Sequence, residues 1–171
     1  ANDRYVVYNY LDKIWYYGTL SRTAWLDRGT RKFPLATDNS GYLYNQEFGH
    51  DDDGSAMTSY IESSVMDIGD GDRFTFISKV LPDLSFSGST SISTPQATFT
   101  VKARDNPGED FTSIDSGTTT RTQSSPVEEY TKQLNLRARG RSFALRVESN
   151  AVGSKWRLGS PRVNLRQDGR R

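Results

Sequence analysis

Cysteine is absent from this 171-residue chain, histidine occurs once, at His50, and methionine only twice. Without thiols there is no disulfide staple and no thiolate nucleophile. A single histidine deprives zinc sites built on His and Cys of their ligands. A Ser–His–Asp arrangement would have to use His50, and no serine stands in a Gly-x-Ser-x-Gly elbow. Apolar residues are scarce, at 34%, and no run approaches the roughly 18 residues of a membrane span. The opening Ala1-Asn2-Asp3-Arg4 lacks the form of a signal peptide. It also lacks an initiating Met, as expected if a Met preceded Ala1 and was removed, or if the chain is a piece of a longer polypeptide. No segment carries the 3.6-residue apolar repeat of an amphipathic helix.

Aromatic residues are plentiful, at 12%, and nine of them are tyrosines, which suit half-buried sheet surfaces and interfaces. Arg4 to Tyr10 is β-branched and aromatic, Leu11-Asp12-Lys13 interrupts, and Ile14 to Tyr17 resumes the extended character, which predicts a hairpin. Phe33 to Thr37 and Tyr42 to Phe48 flank the turn formers Asp38-Asn39-Ser40-Gly41 and predict a second. Two successive hairpins resemble a propeller blade, an object that needs neighbours on both of its faces. Ser59 to Met66, Arg73 to Leu84 and Ala97 to Ala103 read as strands. Ser87 to Gln96 and Arg104 to Val127 read as loops, the second long enough to hold an edge strand or to be a functional excursion. Lys132 to Arg139 alternates strictly, with Leu134, Leu136 and Ala138 on one face. Beyond Gly140 the apolar set is Phe143, Leu145 and Val147, so it moves from even to odd positions, as a turn or bulge at Gly140 would cause. Trp156, Leu158, Val163 and Leu165 supply the last strands. The class predicted is all-β.

Two acidic stretches are candidate cation sites. Asp51, Asp52 and Asp53 beside His50 lack EF-hand ligand spacing, and Asp70 and Asp72 alternate with Gly69 and Gly71. Turn chemistry accounts for both. The remaining acids are numerous but scattered, and sequence does not pair them as a glycosidase would require. No catalytic residue, cofactor or metal site is expected, and the chain reads as a non-enzyme.

Charge is unevenly placed. Tyr130 to Arg171 holds eleven basic and two acidic residues, a net +9, whereas Ala1 to Glu129 has a net −8. Such a chain suits a charged neighbour, or another copy of itself, in a fixed orientation. Arg137, Arg139, Arg141 and Arg146 are the candidate partner-binding residues. Arg137 and Arg139 share a strand face, with Arg146 expected beside them across the bend. The anions they need come from solvent, from nucleic-acid phosphates, or from carboxylates of a neighbouring subunit.

Five strings stand out together: RYVVYNYLDKIWYYGTLSRTAW (Arg4–Trp25), YIESSVMDIGDGDRF (Tyr60–Phe74), ARDNPGEDF (Ala103–Phe111), LRARGRSFALRVES (Leu136–Ser149) and WRLGSPRVNLRQDGRR (Trp156–Arg171). They resemble the C-terminal part of structural proteins of tailed bacteriophages, the propeller-type tail nozzle, head-to-tail and packaged-DNA stabilisation proteins. The resemblance implies propeller-blade-like hairpins over residues 1–55, the last blade of a longer chain, then a jelly-roll-like β-sandwich over residues 56–171. It implies a virion component of the tail or head–tail junction, assembled in the host cytoplasm. Its partners would be copies of itself in a ring, other tail or connector proteins and DNA passing through the bore, which it would help retain or conduct, with no membrane anchor. No family functional residue is carried over. The rival expectation is a carbohydrate-binding sandwich that recognises a host surface, and it calls for Trp or Tyr side chains lying open to solvent.

Overall fold

The computed structural model describes residues 3–69, 71–90, 94–106, 108, 111 and 122–169. Among the described residues there are fifteen strands and no helix, every strand pair is antiparallel, and no sheet closes into a barrel. The protein is all-β. The chain divides into two compact units, Ala1–Gly49 and His50–Arg171.

In the first unit, β1 (Arg4–Asn9) and β2 (Ile14–Thr19) form a hairpin whose register sets Val6 against Tyr17 and Tyr8 against Trp15. Lys13 adopts φ 55° in the connecting turn, and the Asn9 side-chain carbonyl accepts from the amides of Leu11 and Asp12. Three short strands, β3 (Ala24–Leu26), β4 (Leu35–Thr37) and β5 (Leu43–Asn45), make a separate sheet in the order β3-β4-β5. The turn between β4 and β5 is organised by Asp38, whose carboxylate accepts from the amides of Ser40 and Tyr42 and from the Tyr44 hydroxyl. Desolvation works to raise this carboxyl, but those hydrogen bonds and the nearby Arg22 outweigh it and hold Asp38 below the ordinary carboxylate range.

The second unit has two principal sheets. One runs β11 (Gln123–Glu128), β10 (Gln96–Arg104), β13 (Ser142–Ser149), β6 (Ser59–Glu62), with β7 (Met66–Asp67) also paired to β13. The other runs β12 (Leu134–Gly140), β8 (Thr75–Leu81), β15 (Arg162–Gln167). A small pair, β9 (Leu84–Ser85) with β14 (Arg157–Leu158), completes the unit. The core draws Phe99 and Val101 from β10, Phe143 and Val147 from β13, Ile77 and Val80 from β8, and Leu134, Leu136 and Ala138 from β12. Period-two alternation gives each strand one apolar face, and burying those faces against each other makes a two-layer sandwich. The edge strand expected within Arg104 to Val127 is β11, which carries Pro126 at the sheet margin, where a missing amide is tolerated. Residues 107, 109, 110 and 112–121 of that stretch lie outside the described residues.

Local breaks set the strand limits. The run Arg73 to Leu84 is interrupted at Pro82-Asp83, with Asp83 at φ 46°, and becomes β8 and β9. Within β8, Ser78 is an extra residue in the pairing with β15, so Ser78 and Lys79 are both exposed while Ile77 and Val80 are both buried. The parity change at Gly140 marks a larger event than a bulge. Here the chain leaves one sheet and enters the other, with the Arg141 amide bonded to the Arg104 carbonyl at 2.9 Å.

Candidate interaction surfaces

The crossing at Gly140 decides where the four candidate arginines go. Arg137 and Arg139 alternate with the buried Leu136 and Ala138 and so face outward on the three-stranded sheet. Arg146 lies on β13, on the outer face of the opposite layer. The expectation that Arg146 stands beside Arg137 and Arg139 is therefore corrected: a chain that changes sheets places residues on either side of the corner on opposite faces of the sandwich. Arg141 sits at the corner itself, half-buried.

Three of the four are engaged within the chain. Arg139 donates through Nε to Asp168 Oδ2 at 2.6 Å, and its guanidinium lies 4.0 Å from the centre of the Phe74 ring. The Arg141 guanidinium approaches the same ring at 4.8 Å. Phe74 is held in place from both sides of its peptide, donating to the Gly169 carbonyl and accepting from the Asp168 amide. Arg146 donates to Glu148 at 2.7 Å and Glu62 at 2.9 Å and lies over the Tyr60 ring at 4.1 Å. Arg137 is exposed and makes no ion pair among the described residues.

Glu62 is shared by two cations, because Lys102 reaches its other oxygen at 2.7 Å. The β13 pairings bring these groups together: Arg146 is in register with Glu62 on one side and with Thr100 on the other, two residues from Lys102. Hydrogen bonds from Lys102 and then Arg146 hold the Glu62 carboxyl below its ordinary value near 4.5. A depressed carboxyl pKa stabilises the fold above the unfolded-state value, and that stability disappears as pH falls through the folded-state value. The urea midpoint of Glu62→Gln should therefore fall less between pH 6 and pH 3 than that of the unmodified protein. Parallel midpoint–pH curves for the two proteins would show that the network adds nothing to the fold.

The loop 50–55 is built as a turn. Asp51 accepts from the Gly54 amide, Asp52 and Ser55 exchange backbone hydrogen bonds, and Asp53 and Gly54 both have positive φ. Asp70 lies outside the described residues. No three His, Asp or Glu side chains converge among the described residues.

The β1–β2 hairpin, read from sequence as part of a blade that needs neighbours on both faces, pairs with no other strand among the described residues and carries apolar side chains on both sides. Tyr5, Val7, Ile14 and Tyr16 project to one side of it, and Val6, Tyr8, Trp15 and Tyr17 to the other, yet all eight are exposed. Tyr17 reaches 88% and Trp15 66%. The signal was present in the unbroken runs YVVY and IWYY. A strand with one solvated face alternates, whereas a strand covered on both faces reads as a continuous apolar run. No family model matches this chain, and no curated protein matches it.

Proposed function

We propose that this chain is a non-enzymatic structural component of a tailed-bacteriophage virion, in the tail nozzle or head-to-tail connector, assembled as one of several copies around an axis. The observation that carries the reading is the hairpin Arg4–Thr19, apolar on both faces and exposed on both. Exposed apolar surface of this extent marks a protein–protein contact, and an isolated two-stranded hairpin with apolar side chains on both sides needs packing from a neighbour to be stable. A head-to-tail contact repeated around an axis closes a ring. The resemblance of the five strings to tail and connector proteins supplies the setting.

A second reading has its own observation. Trp15 and Tyr8 stack at 4.6 Å on one hairpin face, open to solvent, while Trp25 is half-exposed and bonded to Asp27. Open aromatics with polar neighbours also suit a carbohydrate-binding module. A sugar platform needs only one aromatic face, however, and this hairpin has two.

Light scattering on the purified chain, together with antibody labelling of intact virions, tests the proposal. A defined oligomer and label at the tail axis are the expected results. A chain that remains monomeric at every concentration, with no label on particles, overturns it. Quenching of the tryptophans by glycans without any assembly would establish the second reading instead.

A further inference from the structure

The charge asymmetry of the sequence becomes, in the fold, an asymmetry between the two layers of the sandwich. The five-stranded sheet mixes its charges: Lys102, Arg104 and Arg146 against Glu62, Asp67, Glu128 and Glu148. The three-stranded sheet holds Lys79, Arg137, Arg139, Arg162 and Arg166 and no carboxylate at all. Asp168, one residue beyond β15, is bonded to Arg139. Lys79, Arg137, Arg162 and Arg166 are exposed and make no ion pair among the described residues.

The register puts these cations on one face. Leu134, Val80 and Val163 pair with one another across the three strands and point into the core. The next row, Asn135–Lys79–Asn164, therefore faces outward. The row Arg139–Phe76–Arg166 faces outward in the same way, with the Arg166 guanidinium 5.7 Å from the Phe76 ring centre. Ser78, the bulged residue, lies between the rows and keeps Lys79 on the outside. Cations two residues apart on a strand are about 6.6 Å apart, and neighbouring strands are about 4.8 Å apart. The result is a sheet face of spaced positive charges interleaved with neutral donors.

We infer that the outer face of the three-stranded sheet binds the phosphodiester backbone of duplex DNA without reading its sequence. Four exposed cations with no ion pair among the described residues repel one another, and an extended anion relieves that repulsion at several points at once. Among the described residues of the sandwich, no sheet face gathers carboxylates to match these cations: on the five-stranded sheet they alternate with Lys102, Arg104 and Arg146, and others stand in turns, as Asp53, Asp83 and Glu129 do. A phosphate backbone presents charge at regular intervals, and amides and hydroxyls between the cations can donate to its oxygens. Phe76 is half-buried and has the Arg166 guanidinium over its ring, so it is not a platform for unstacked bases, which favours duplex over single strands. This inference does not depend on the hairpin: DNA binding and assembly are read separately, and either can fail alone.

The test is fluorescence anisotropy with a labelled duplex of about 30 base pairs and arbitrary sequence, from 50 to 200 mM salt. With about four phosphates neutralised, log K should fall against log salt with a slope of about −3.6, a loss of about 150-fold across that range. The variant Lys79→Gln/Arg137→Gln/Arg166→Gln should reduce the slope to about −1 and abolish most binding at 50 mM salt. Lys102→Gln, on the mixed-charge sheet, should leave the slope unchanged. Circular dichroism would confirm that both variants are folded. Absence of duplex binding at 50 mM salt, wild-type binding by the triple variant, or an equal loss in Lys102→Gln each overturns the inference. A triple variant that assembles poorly, when the unmodified chain never binds duplex, would identify the face as a protein contact instead.

Discussion

Serine at Trp15 and Tyr17 should abolish assembly while leaving the sandwich unit folded. Both side chains lie on the same hairpin face, Tyr17 opposite Val6 and Trp15 opposite Tyr8. Large aromatics buried at the centre of an interface cost about 2 kcal/mol or more each when truncated, which is about 30-fold in the association constant per residue. Because both are exposed in the isolated chain, their replacement removes little packing from the unit that carries them. Tyr130 is the control. It is 84% exposed at the turn between β11 and β12, a lone apolar residue rather than part of a two-faced run. Tyr130→Ser should assemble as the unmodified chain does. Light scattering at matched concentrations distinguishes the two; equal mass for the Trp15/Tyr17 variant would remove the hairpin from the assembly interface.

Gly140→Ala should destabilise the sandwich by about 1–3 kcal/mol, the ordinary cost of overpacking a tight site. A Cβ on Gly140 would stand 2.8 Å from the Arg104 carbonyl oxygen and 3.1 Å from the Ala103 side chain. The first obstacle is backbone, so β10 and the corner would have to move apart, straining the Arg141–Arg104 hydrogen bond. Gly140 does not occupy a positive-φ conformation, so the requirement for glycine here is purely spatial. In open space the same substitution would stabilise by about 0.4–1 kcal/mol, by restricting the unfolded chain. The sign therefore decides the matter: a raised urea midpoint would show that the corner has room. Gly18 offers a contrast. There the obstacle to a Cβ is the far end of the Tyr5 side chain, which can swing aside.

Much of the strand pattern was legible because it rests on short-range rules. The β1–β2 and β4–β5 hairpins follow from apolar runs broken by turn formers, and β10, β12 and β13 from alternation. The parity switch at Gly140 was visible too, but not its meaning. Leu136 and Phe143 would suit a bulge within one sheet as well as a corner between two, and only the pairing of β13 with β10 and β6 distinguishes them. Ser78 was similarly opaque, since an extra residue is defined by the strand across from it. β3 was missed because three residues, Ala24-Trp25-Leu26, are too few to show a period. The ion pairs were beyond reach for the same reason: Glu62 and Arg146 are 84 positions apart. Of the four arginines singled out, Arg137 and Arg139 lie on the cation-rich sheet, Arg139 bonded to Asp168, while Arg146 is neutralised by Glu148 of its own strand and Glu62 of the neighbouring one. Lys79, Arg162 and Arg166 escaped notice because β8 and β15 join β12 only in three dimensions.

The corner at Gly140 gives the module a polarity. By carrying the chain from one layer to the other, it leaves one outer surface electrically quenched by its own carboxylates and the reverse surface live. A tile with one inert and one active side can be laid in a single orientation, so a row of such tiles would keep all its unspent charge on a common side. One residue without a side chain thus sets the direction in which the whole sandwich faces its surroundings.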